Sequence, residues 1–386
     1  MAIYMVKEGD SLDQIASAYG KDPLEISYDN QIPYPYALTP GQNLWIEDEI
    51  SEEAPSAEAG SKPNIRTGGY AYPFISRYVL EQTLPFLTDL YIFSYGFTAE
   101  GDLVYPTYPD DWMISMAKGY NCAPILTLTP FGPDGKFNNY LISQIVDREE
   151  SRSNLIDQIT AQITDRGFEG VDIDFEYILA EDRDGFTAFV QEVTAAVNNL
   201  GYPVSVALAP KTSAGQKGLL YEGKDYPALG EAADSVLLMT YEWGYTYGPP
   251  MAVAPLPNVR QVLDYAVTEI PREKIRMGIP NYGYDWTLPY VRGESRATTL
   301  GSIEARQRAI QFGVPIQYDE QAQSPYYLYQ SGSTRHEVWF EDLRSMRAKL
   351  SLIQEYSLRG AGYWNIMNLF RANWLLLKSM EQVEEL

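Results

Sequence analysis

Cysteine and histidine are nearly absent: the chain of 386 residues carries one of each, Cys122 and His336. A lone cysteine excludes intramolecular disulfides and multi-cysteine metal sites, and a lone histidine excludes the paired histidines of HExxH zinc chemistry. A Ser-His-Asp triad could stand only on His336, which lies beside Glu337 and reads as a surface or structural residue. Cys122 reads as a small buried hydrophobe. Positive charge is scarce too, with 29 Lys and Arg against 52 Asp and Glu, a net charge of −23. Nucleic-acid binding needs a basic surface to displace counterions, so that sign argues against it, and against an anionic membrane surface. No apolar run approaches the roughly 18–20 residues of a membrane span, so a soluble protein is expected. The opening MAIYMVKEGDSL lacks a basic segment followed by an apolar one, and a secretory signal peptide is not expected. Carboxylates are plentiful, and so are aromatic rings: 31 Tyr, 7 Trp and 13 Phe. Sugar sites are commonly built from those two ingredients.

Residues 51–63, SEEAPSAEAGSKP, contain no large apolar side chain and read as a linker between a small segment, 1–50, and a large one, 64–386. In the small segment, Tyr4 and Val6 alternate as a short strand. Ser11 and Gln14 make a capping box that opens a helix with Leu12, Ile15, Ala16 and Tyr19 on one face, and Gly20 is its stop. Asp22, Pro23 and Glu25 open a second helix, and Leu44-Trp45-Ile46 form a closing strand. The order is β-α-α-β.

The large segment alternates strand-like apolar runs with helical stretches, the signature of a parallel α/β sheet. Strands are expected near 67–74, 89–96, 123–129, 168–176, 203–209, 235–241, 275–282 and 359–366. Eight strands with intervening helices predict a (β/α)8 barrel. The gap between the seventh and eighth is longer than one helix needs, so 284–340 is expected to be a small inserted α+β subdomain on the active-site side.

The chemistry concentrates in Phe168-Glu-Gly-Val-Asp-Ile-Asp-Phe-Glu176. Successive strand side chains point to opposite faces, so Val171, Ile173 and Phe175 share one face and Asp172, Asp174 and Glu176 the other. In a barrel the apolar set packs outward and the acids point inward, roughly 6.5–7 Å apart along the strand. Three stacked acids cannot all ionise cheaply, so at least one should hold a proton near neutral pH. A protonated acid beside a carboxylate is what glycosidic cleavage requires. Two other readings are open on residues alone: an edge strand with an acidic solvent face, or a D-x-D-x-E set holding a divalent metal through oxygen.

Resemblances sharpen these readings. The stretch Tyr4–Ile46, with YxVxxGDSLxxIA, Asn30 and LxPGQxLxI, resembles a LysM module, the peptidoglycan- and chitin-binding repeat. Residues 169–176, EGVDIDFE, resemble the DGxDxDxE signature of family 18 glycoside hydrolases, with Glu169 replacing the first Asp, generally a support residue. Met239-Thr240-Tyr241-Glu242 resembles the family's M-x-Y-D, and Trp364 its aromatic floor beneath the reactive sugar. The S-x-G-G of typical chitinases is absent, TLTPFG standing there instead, which marks a divergent branch. Residues 241–255, 278–286 and 336–342 resemble the spore cortex-lytic and germination glucosaminidases of spore-forming bacteria.

The resemblance implies a retaining N-acetylglucosaminidase acting on peptidoglycan in the spore, as a monomer, with neither cofactor nor metal. Glu176 is the implied general acid. Asp174 would hold the acetamide N–H, Asp172 would share a proton with Asp174, and Tyr241 would bond the acetamide carbonyl. Trp364, Tyr284 and Trp286 would stack on sugar faces, with Glu242, Trp243, Met239 and Tyr70 as further cleft residues. A chitinase, and a catalytically silent glycan-binding scaffold, are the alternatives. The linker implies that the LysM module acts as a tether.

Overall fold

The computed structural model describes residues 2–47 and 62–385. Most of the expected linker, residues 51–61, lies outside the described residues.

In the N-terminal module, β1 (Ala2–Met5) pairs antiparallel with β2 (Asn43–Ile46) around two short helices, Leu12–Tyr19 and Pro23–Asp29. The first helix is closed at both ends by its sequence. Ser11 and Gln14 form the reciprocal capping box, and Gly20 takes the left-handed conformation at φ 65°. Asp22 caps the second helix by accepting from the Leu24 amide at 2.9 Å. Val6, Leu12, Ile15, Ile26, Ile32 and Leu44 make a small core of their own.

The large segment is a closed parallel barrel. Its strands are β3 (Asn64–Ala71), β4 (Asp89–Phe97), β6 (Ala123–Leu128), β7 (Val171–Ile173), β8 (Val204–Leu208), β9 (Ser235–Leu238), β10 (Ile275–Pro280) and β16 (Gly360–Trp364). Each pairs in parallel with the next, and β16 returns to β3 to close the ring. Two short strands flank it: β5 (Leu103–Val104) on the end of β4 and β17 (Gln382–Val383) on β3. Between β10 and β16 lies a five-stranded antiparallel sheet of β11 (Gly283–Leu288), β12 (Thr298–Leu300), β13 (Gln317–Asp319), β14 (Ser324–Ser331) and β15 (Thr334–Trp339). Helix Ser302–Gln311 packs on it over Ala305, Ala309, Tyr327 and Val338.

The acidic strand is shorter than its alternation suggested, since regular pairing ends at Ile173. Beyond it the Asp174 amide still bonds the Leu128 carbonyl at 2.9 Å, so the in-and-out alternation continues to Glu176. Outward, Phe175 meets Phe186 and Phe189 of helix Arg183–Asn198 at ring distances of 5.5 and 5.6 Å.

The N-terminal module is docked against the barrel and its insert, so contacts beyond the linker hold it in place. Trp45 is buried in the barrel's apolar core. Arg306 donates to the Asn30 and Gln31 carbonyls at 2.7 Å each, and Asn43 donates to Asp342 at 2.5 Å. The Ile316 amide bonds the Pro40 carbonyl at 2.9 Å, and Arg371 pairs with Asp29 at 2.9 Å. Gly41 makes this approach possible. At φ 83° it adopts a backbone that suits glycine, and a Cβ there would lie 1.9 Å from the Ile316 carbonyl oxygen.

Candidate active site

Barrel enzymes carry their chemistry at the C-terminal ends of the strands, where side chains from separate strands converge. Here that mouth holds a cleft of about 590 Å³ whose lining includes Asp174, Glu176, Met239, Tyr241, Glu242, Trp243, Tyr284 and Trp364. Eight of the eleven side chains singled out from sequence therefore share one cavity.

Asp172 lies directly beneath, fully buried. It accepts hydrogen bonds from Tyr70 at 2.9 Å and from Ser205 at 2.5 Å. Burial nonetheless pushes its pKa up to about 7, because desolvation outweighs the two hydrogen bonds that favour the anion. Asp174 is held well above the ordinary carboxyl range by burial, then by the charges of Glu176 and Asp172. One of its oxygens is buried with no protein partner. Glu176 is also raised, by burial foremost; Lys224 opposes the shift and Glu242 adds to it. The acid stack is thus poised to hold protons near neutral pH.

Tyr241 reaches the cleft across Gly278, where an added Cβ would sit 2.7 Å from the tyrosine ring. Trp364 forms part of the wall, packed edge-on against Phe93 at 4.9 Å and near Tyr70 and Tyr72. Glu242 adopts φ 69°, a rare conformation for a side chain of its kind. The hydroxyls of Tyr282 and Tyr284 donate to its carboxylate, the latter at 2.8 Å. Cleft walls push the Glu242 pKa up, and those two hydrogen bonds pull it back.

Three expectations need correction. Trp286 is buried behind the cleft wall, and its indole N–H donates to the Gly248 carbonyl at 2.8 Å, so its ring offers no face to a sugar. Tyr284 touches the cleft, but it is largely buried and its hydroxyl serves Glu242. Tyr70 lies under the floor, stacked on Tyr91 at 4.5 Å, and orients Asp172 rather than meeting substrate.

Other lining residues were missed: Tyr72, Phe93, Phe131, Tyr177, Leu220, Tyr221 and Tyr245. Tyr72, Phe131 and Tyr177 fall at or just past expected strand ends, a legible signal. Leu220, Tyr221 and the buried Lys224 come from the long loop after β8 and carry no local signature. Among the described residues no cluster of three or more His, Cys, Asp or Glu side chains is placed to hold a metal ion. No helix among them is long and apolar enough to cross a membrane. Glu169 pairs instead with Lys118 at 3.1 Å, away from the cleft lining.

A parallel barrel whose mouth gathers a stack of raised-pKa acids, a tyrosine and an aromatic wall is the apparatus of a glycoside hydrolase. The chain belongs to the glycosyl hydrolases family 18, whose profile matches residues 131–368, and it carries a LysM domain matched at residues 4–47. It is 38% identical over 428 aligned positions to the cortical fragment-lytic enzyme of Bacillus subtilis (strain 168), covering 99% of each chain. The crystal structure of the Bacillus cereus spore cortex-lytic enzyme SleL superposes with a TM-score of 0.93 at 32% identity, over 100% of this chain and 98% of that one. A chitinase from Chromobacterium violaceum ATCC 12472 shares the barrel at TM-score 0.75 and 24% identity, over 82% of this chain and 98% of its own.

Proposed function

We propose that this chain is a retaining N-acetylglucosaminidase that cleaves spore-cortex peptidoglycan by substrate-assisted catalysis. The observation that carries this reading is the graded acid stack: Asp172 and Asp174 buried one behind the other, with Glu176 reaching the cleft. Its raised pKa suits Glu176 to deliver a proton to the glycosidic oxygen as that bond breaks. Family 18 enzymes are an exception to the two-carboxylate scheme, the substrate's own acetamide acting as nucleophile. The acetamide oxygen bonds the anomeric carbon and gives an oxazolinium. The unpartnered oxygen of Asp174 is available to accept the acetamide N–H and offset the positive charge. Asp172 shares a proton with Asp174, and Tyr241 donates to the acetamide oxygen. Water then attacks the anomeric carbon, Glu176 takes its proton, and the acetamide is restored.

Cortex peptidoglycan is supported by the relatives' names and by the LysM domain, a glycan-binding class. The spore is accordingly the site of action, and the working unit is a monomer. Two substrates test the reading. Peptidoglycan carrying N-acetyl groups should be cut, and mass spectrometry of the fragments should find N-acetylglucosamine at the new reducing ends. The same polymer stripped of acetyl groups should bind and resist. Glu176→Gln should lower turnover by about 10²-fold or more with glycan binding kept, since the amide cannot deliver a proton. Comparable hydrolysis of the acetyl-free polymer would overturn the assisted mechanism.

A further inference from the structure

The barrel also buries a cation that the chemistry above leaves unused. Lys224, from the loop ahead of helix Tyr226–Ala232, is fully enclosed. Its ammonium donates to the Phe175 carbonyl and, at 3.0 Å, to the Ala207 carbonyl. The first belongs to the peptide bond leading into Glu176; the second lies on β8, the neighbouring strand. A second buried lysine, Lys211, secures the loop by donating to the Lys224 carbonyl at 2.8 Å. A buried ammonium is costly unless it is compensated, and carbonyl dipoles supply only part of that compensation. The rest comes through space from Asp174, Glu176 and Asp172.

We propose that Lys224 is a positioning residue for hydrolysis: it fixes the Phe175–Glu176 peptide from behind and supplies the counter-charge that keeps one acid of the stack ionised beside a protonated one. This rests on the roles given above to Asp174 and Glu176. Burial disfavours every anion in the stack and Lys224 opposes each of those shifts, so losing the cation favours protonation of the acids. Asp174 could then no longer offset the charge that appears on the acetamide. The cation is itself destabilised by burial, which brings its pKa down to about 8 against the three acids that raise it. Other charges on the surrounding elements are Lys211, the Arg183–Asp225 pair and Glu242, with Tyr226 and Tyr241 as neutral titratable neighbours.

Lys224→Met and Lys224→Gln test this in the full chain, the glutamine keeping a neutral donor. Both should lower kcat at least tenfold at pH 7 with little change in KM. Both limbs of the pH profile should move upward by about one pH unit or more, because carboxyl groups that lose a cation hold their protons longer. A lower kcat with unmoved limbs would mean a structural role only and would overturn the proposal. If neither variant folds, the reciprocal titration decides. With 13C-labelled lysine, the Lys224 signal should titrate at lower pH in the Asp174→Asn, Glu176→Gln double variant than in the unaltered chain. An unmoved titration would overturn the charge coupling. Full activity of Glu176→Gln alone would instead remove the catalytic assignment while leaving that titration as it stands.

Discussion

Asp172 couples folding to pH. Its pKa of about 7 in the fold lies above the ordinary 3.8, so the native state favours the protonated acid. Between those values the unfolded chain has released the proton that the folded chain retains. The stabilising contribution is therefore full below about pH 4 and is lost as pH rises through 7. Asparagine cannot titrate, so Asp172→Asn should gain stability relative to the unaltered protein on going from pH 5 to pH 8. Urea midpoints at the two pH values measure the difference. A gap that stays constant would show that Asp172 ionises normally in the fold. The same residue illustrates what sequence reveals. Alternation placed it inward with Asp174 and Glu176, but its partners Tyr70 and Ser205 come from β3 and β8, and no local pattern names them.

The inserted sheet is held by a polar knot. Asp285 on β11 accepts hydrogen bonds from Arg308, from Tyr329 at 2.6 Å and from the lone His336 at 2.9 Å. The His336 ring stacks on Tyr329 at 4.6 Å. Replacing this buried acid removes the acceptor of the Tyr329 hydroxyl and leaves Arg308 with Glu304 alone, at 2.8 Å, at a cost of about 1–3 kcal/mol. Asp285→Ala should lower the melting temperature and raise KM more than it lowers kcat, since Tyr284 on the same strand steadies Glu242 at the cleft. A KM unchanged at reduced stability would show the insert to be indifferent to substrate. The length of residues 283–358 announced an extra element, yet its order and its knot depend on pairings between segments far apart in sequence.

Taken as a whole, the molecule joins its LysM domain to the barrel through Trp45, Asn43, Arg306 and the glycine at 41. Gly41→Ala should weaken that docking, because a methyl group would strike the Ile316 carbonyl and the backbone there is left-handed. Small-angle scattering should then find a larger radius of gyration, and limited proteolysis should release the N-terminal domain sooner. The cleft lining includes no residue of that domain, so hydrolysis of short soluble fragments should hardly change. An unaltered scattering curve would show that the remaining hydrogen bonds suffice to hold it.

The sequence by itself determined the local features: the capping box, the strand order and the inward face of the acids. Each depends on residues a few positions apart, where the periods of strand and helix suffice. Tertiary structure alone decided that Trp286 points away from the cleft, that Tyr284 serves Glu242, that Lys224 stands behind the acids and that the LysM domain is docked. Those outcomes require the barrel to close and distant loops to meet. Burial and electrostatic coupling then follow from three-dimensional proximity, which a linear pattern does not encode.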